Sequence, residues 1–150
     1  MENRKKLHDA GLALIILAVA DLFSYFMVLM TNYIDGSFES QLPESARPYL
    51  TASLVVLFAI GVILTGAQVL IGYKGLQISK NPTNGKGHIT AAKIFFALCV
   101  ISTVTTVVAL FKSTGASTIQ NAFSTANVVL DVCIYAYYIK AAEAVRNSAE

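Results

Sequence analysis

The chain has 150 residues, 55% of them apolar before its nine glycines are added, against roughly 45–50% with glycine included in an average soluble protein. Only 13% are charged, about half the usual ~25%, too few to cover a soluble domain of this size. Soluble globular and disordered classes are excluded, and a net charge of +2 scattered along the chain offers no surface for nucleic acid.

The expected solvent is the lipid bilayer, and the expected fold is all-α: a four-helix transmembrane bundle in one domain, residues 1–150. A hydrocarbon core about 30 Å thick takes about 20 helical residues. The first predicted span covers residues 11–32 and is interrupted by Asp21 alone. Arg4, Lys5 and Lys6 precede it as they would in a signal peptide. Its apolar run is too long for one, and Thr31-Asn32-Tyr33 offers no small-residue cleavage site, so the helix is expected to stay. The connection from Tyr33 to Tyr49 carries Asp35, Glu39 and Glu44, and Pro43 and Pro48 argue against a continuous helix there.

The second span, residues 50–73, is free of charge. A polar loop from Gln77 to His88 follows, with the turn dipeptides Asn81-Pro82 and Asn84-Gly85. Its Gly85-Lys86-Gly87 lacks the spacing of a phosphate-binding loop and reads instead as a basic turn near anionic headgroups. The third span, 94–111, is uncharged for 18 residues, and the fourth, 118–139, carries Asp131. Cys99 and Cys133 fall inside apolar runs and read as small buried hydrophobes.

Near the span ends, nine Lys and Arg lie at the N-terminus, the 2–3 connection and the C-terminal tail, against Arg47 and Lys112 on the other side. By the positive-inside rule both termini face the cytoplasm. Tyr33, Tyr49, Tyr73, Tyr137 and Tyr138 stand near span ends, where interfacial tyrosines belong.

Gly72-Tyr73-Lys74-Gly75-Leu76, then Ser79-Lys80-Asn81-Pro82, a short basic turn and the third apolar span form a pattern, closed by Tyr135-Ala136-Tyr137-Tyr138 before Lys140. In these features the chain resembles small, mostly uncharacterised four-span integral membrane proteins of bacteria. The resemblance implies the architecture and a bacterial cell membrane, and it brings no activity with it.

Candidate chemistry centres on two acids. Each costs about 2.5–3.5 kcal/mol to place at a helix centre. At 1.5 Å per residue Asp21 lies about 15 Å, and Asp131 about 12 Å, from the cytoplasmic edge, so the two share a depth. Gln120, Ser124, Asn127, Asp131, Tyr135 and Tyr138 form one stripe down span 4, and Asp21, Ser24 and Tyr25 one face of span 1. Span 2 contributes Gly61, Thr65, Gln68 and Gly72 at spacings of 4, 3 and 4, and span 3 Ser102, Thr103 and Thr106.

Such faces are expected to meet in a bundle, with Gly61, Thr65 and Gly72 packing against another helix and Asp21, Ser24, Tyr25, Gln68, Asn127, Asp131 and Tyr135 forming a polar cluster. No Lys or Arg lies in any span to neutralise the acids, so at least one is expected to be protonated and hydrogen-bonded. The expected role is a non-enzymatic membrane protein whose bundle associates with itself or with another membrane protein. The alternative is a small proton- or cation-coupled transporter using Asp21 and Asp131, loosely similar to the small multidrug exporters. From those it departs in having Asp rather than Glu in the first span, a longer chain and no tryptophan. His8 and His88 have no metal-ligand partner at useful spacing, and no residue set suggests catalysis, a cofactor or a metal.

Overall fold

A computed structural model describes residues 2–41, 43–81, 86–112 and 116–148. Every regular element among them is helical: α1 (Glu2–Ile34), a short α2 (Ser37–Gln41), a 3-10 segment (Glu44–Tyr49), α3 (Leu50–Lys80), α4 (Gly87–Lys112) and α5 (Ala116–Asn147). Three of these stretches are long and apolar enough to cross a membrane: α1, the run Glu44–Lys80, and α4.

The helices overshoot the expected spans. α1 has 33 residues, α3 31 and α5 32, hence about 46–50 Å each at 1.5 Å per residue, against a hydrocarbon core of about 30 Å. The polar loop expected from Gln77 to His88 is therefore shorter than the sequence suggested. α3 continues through Lys80 and α4 already begins at Gly87, while residues 82–85 lie outside the described residues. The charged N-terminal stretch and the tail after Ile139 are likewise helix, because apolar periodicity persists among their charges.

The chain divides into two compact units. One comprises Met1–Ile15 with Ile71–Glu150 and the other Ile16–Leu70. The first owns the core, built from Leu7, Ala10 and Leu14 of α1, Ile71 and Ile78 of α3, Ile89 and Ala92 of α4, and Tyr135, Tyr138, Ala141, Ala142 and Val145 of α5. These positions follow the helical repeat, three or four residues apart on α1 and α4, seven apart on α3 and mostly three apart on α5, so each helix offers one face. Lys93 Nζ meets Glu143 Oε1 at 2.7 Å and the Phe95 ring stacks on Tyr135 at 5.9 Å, so α5 runs back antiparallel along α4.

In the second unit Phe26 of α1 meets Phe58 of α3 edge-on at 5.6 Å, and Leu29 and Leu50 are buried. α1 stops where Gly36 takes φ +71°, a left-handed conformation that an L side chain rarely adopts. The Asp35 carboxylate accepts the Ser37 backbone N–H at 3.0 Å and so caps α2. Hydrogen bonds from Ser37 hold that carboxyl below the usual carboxylate range. Pro48 sits inside the 3-10 segment, where the chain turns into α3.

The long apolar flanks of α1, α3 and α4 are uncovered. Phe23 is 66% exposed, Ile63 70% and Ile101 62%. Water would not tolerate so much contiguous apolar surface, whereas lipid is its natural neighbour.

Candidate functional site

Glycines set the closest helix approaches. In the first unit, Gly11 and Gly72 bring α1 and α3 into backbone contact. A Cβ added at Gly11 would lie 2.7 Å from the Gly72 carbonyl oxygen, and one at Gly72 would lie 2.6 Å from the Gly11 oxygen. Only glycine admits such a crossing, the approach that small residues provide between membrane helices. Gly72 belongs to the face expected to pack. Gly11, its partner, stood out in the sequence only as the start of a span; a lone glycine followed by three turns of apolar residues was the available signal.

The Tyr138 ring lies over Gly75, the Gly of the Gly-Tyr-Lys-Gly-Leu stretch nearest the polar end, and its hydroxyl donates to the Ile71 carbonyl at 2.8 Å. Tyr138 is fully buried, which corrects the expectation of an interfacial tyrosine; Tyr33, Tyr49, Tyr73 and Tyr137 are exposed. The His88 ring meets it edge-on at 6.2 Å. Tyr135 is also fully buried, against Phe95. Along the α5 stripe burial thus increases toward the C-terminus: Ser124 and Asn127 are exposed, Asp131 is half-buried, and the two tyrosines are enclosed. The side chain of Gln120 lies outside the described residues.

Within the second unit, Gly61 faces Tyr25, whose ring edge would sit 2.7 Å from an added Cβ. The Tyr25 hydroxyl donates to the Leu57 carbonyl at 3.2 Å. Asp21, Thr65 and Gln68 are half-buried and Ser24 is exposed. Of the residues expected to form the polar cluster, Asp21, Ser24, Tyr25 and Gln68 belong to one unit and Asn127, Asp131 and Tyr135 to the other. Asp21 and Asp131 both take part in interactions with other groups.

Three threonine hydroxyls of α4 are satisfied locally. Thr103 donates to the Cys99 carbonyl at 2.8 Å, Thr105 to Ser102 at 2.8 Å and Thr106 to Thr103 at 3.1 Å, so each returns to its own helix. A hydroxyl in an apolar medium finds its nearest acceptor one turn back, and no partner helix is needed.

A cavity of about 320 Å³ opens between Phe26, Leu29, Met30 and Tyr33 of α1 and Thr51, Leu54, Val55 and Phe58 of α3. Its lining is apolar apart from two hydroxyls, which suits hydrocarbon and offers no acid, base or nucleophile for chemistry. Among the described residues no group of three or more His, Cys, Asp or Glu stands ready for a metal ion. Comparison with protein-family models, with curated proteins and with solved structures finds no match to this chain.

Proposed function

We propose that this is a non-enzymatic, four-span protein of the bacterial cell membrane, with both termini cytoplasmic, that works by associating with itself or with another membrane protein. One observation carries the proposal: the helix ends share a core, while the apolar flanks of α1, α3 and α4 have nothing over them. The antiparallel course of α5 along α4 supports a fourth crossing, because a helix lying beside a membrane-crossing neighbour crosses with it. Four helix ends with a common core fit the same side of the bilayer, and the nine-to-two asymmetry of Lys and Arg assigns that side to the cytoplasm.

Gly66 supports association. It lies exposed in the middle of α3, and an added Cβ would meet nothing within 4 Å. A glycine inside a helix costs about 1 kcal/mol relative to alanine, so one that admits no neighbour within its own chain is accounted for by a neighbour outside it. Asp21 and Asp131 act in this account as hydrogen-bonding groups between helices. Single-molecule photobleaching in liposomes tests the proposal. Multi-step bleaching that becomes single-step in Gly66→Ile supports self-association. Single steps at every protein density, with no membrane protein retained from mild detergent, contradict it.

A further inference from the structure

The end that holds the core is also the charged end. Nine Lys and Arg share it with four acids, Glu2, Asp9, Glu143 and Glu150, the last lying outside the described residues. The three described acids are already engaged: Glu2 with Lys6 at 2.6 Å, Glu143 with Lys93 at 2.7 Å and Asp9 with His8 at 3.3 Å. Among the described residues no carboxylate lies within ion-pair distance of Arg4, Lys5, Lys80 or Lys86, and all four are exposed.

Their height sets them apart from ordinary membrane-edge cations. The Gly11–Gly72 crossing fixes the level of α1 against α3, beside the exposed Tyr73 and Lys74, where the membrane placement proposed above puts the bilayer boundary. Arg4 is seven residues beyond Gly11 and Lys80 eight beyond Gly72, which puts both about 10–12 Å past that level. The headgroup layer extends only about 5–8 Å beyond the hydrocarbon. Side chains also lean toward a helix N-terminus, which carries Arg4 and Lys5 on α1 further from the bilayer. The bilayer's own phosphates are thus matched to Lys74 and Lys140, and the tip is left with uncompensated positive charge on a packed, helical base.

We infer that this tip is a docking surface for an acidic segment of a cytoplasmic protein, Asp/Glu-rich and extended enough to span the ends of α1 and α4. Charge complementarity selects the partner, and the core beneath (Leu7, Ile78, Ile89, Val145) holds in place the helix ends that carry the cations, so that only side chains are ordered on binding. The inference rests on the membrane placement proposed above, and the test is arranged so that the two can fail separately.

Nanodiscs of neutral phosphatidylcholine expose both faces of the protein, so binding there is independent of orientation. The probe is a fluorescent octa-glutamate peptide, followed by anisotropy at near-physiological salt. The wild-type protein is expected to bind it, with an affinity that falls as salt is raised. The triple variant Arg4→Glu, Lys5→Glu, Lys86→Glu is expected to weaken binding at least tenfold, and Lys74→Gln with Lys140→Gln less than twofold, both with unchanged helical circular dichroism. No binding by the wild-type protein, or equal loss from both variants, overturns the inference. So does a tip variant whose main effect is lower retention of phosphatidylglycerol, since the partner is then the bilayer itself.

Discussion

The Tyr138 ring crosses Gly75 so closely that an added Cβ would lie 2.5 Å from its Cε2, while its hydroxyl donates to the Ile71 carbonyl at 2.8 Å. Ile71 is four residues before Gly75. Tyr25, Gly61 and Leu57 repeat the relationship: the ring covers a glycine of α3, and the hydroxyl donates to the carbonyl four residues earlier. The missing side chain makes room for the ring, and the carbonyl at the edge of that notch satisfies the phenol in a medium without water. α3 is thus notched twice, for α1 and for α5.

The notch at Gly75 gives a graded expectation for thermal unfolding in mild detergent. Gly75→Ala is expected to destabilise by about 1–3 kcal/mol through overpacking against a ring that cannot retreat. Tyr138→Phe keeps the ring and loses one hydrogen bond, a cost of about 1 kcal/mol. Gly66→Ala, where an added Cβ meets nothing of its own chain, is expected to stabilise the monomer by up to about 1 kcal/mol in detergent that dissociates it. Equal responses at Gly66 and Gly75 would show that ring contact does not distinguish them.

The backbone crossing is expected to be less forgiving than the ring contact. At Gly11 and Gly72 the obstructing atom is a carbonyl oxygen, whereas at Gly61 it is the edge of the half-buried Tyr25 ring. Gly11→Leu or Gly72→Leu should therefore lower the melting temperature more than Gly61→Leu, while Leu57→Ile leaves it nearly unchanged. The reverse order would mean that α1 and α3 part at the crossing without loss.

Between α1 and α2, Asp35 has its carboxyl held below the usual carboxylate range by hydrogen bonds from Ser37. A group depressed in the folded state contributes its stabilisation above the unfolded pKa and loses it as pH falls through the folded one. The order of the Gly36 turn is therefore expected to persist at neutral pH and to loosen only below the normal Asp range. NMR titration of the Asp35 carboxyl checks this. The midpoint should return to the ordinary value in Ser37→Pro, which removes both the hydroxyl and the backbone N–H.

For the two acids the account expects tolerance of a neutral isostere. Asp21→Asn and Asp131→Asn should fold with little change, because the amide still donates and accepts. Asp131→Leu should destabilise by about 1–3 kcal/mol, as the groups it bonds lose their partner. Proton or cation flux into liposomes that disappears in the Asn variants would instead mark both residues as carriers.

Much of this was legible in the sequence, and the omissions share a cause. Counting apolar residues up to the first charges finds the three membrane-capable helices, and the polar and glycine positions 61, 65, 68 and 72 fall on one face of α3. The same counting stops at Lys74 and at Ile139, and so misses the packed end. Its signal was present in Leu7, Ala10 and Leu14, in Ile89 and Ala92, and in Tyr138, Ala141, Ala142 and Val145, which keep the helical period after the composition turns polar. Gly11 was hidden because a crossing needs two partners, and only a structure pairs them.

The most direct test of the central claim, a four-span protein with its packed end in the cytoplasm, is cysteine accessibility in intact cells. In a background lacking Cys99 and Cys133, single cysteines at Ser37, Asn81 and Ser148 would be probed with an impermeant thiol reagent. The account requires labelling of Ser37→Cys from outside, with Asn81→Cys and Ser148→Cys protected until the membrane is permeabilised. Labelling of Ser148→Cys from outside would remove the fourth crossing, and labelling of Ser37→Cys and Asn81→Cys from the same side would contradict the membrane placement altogether.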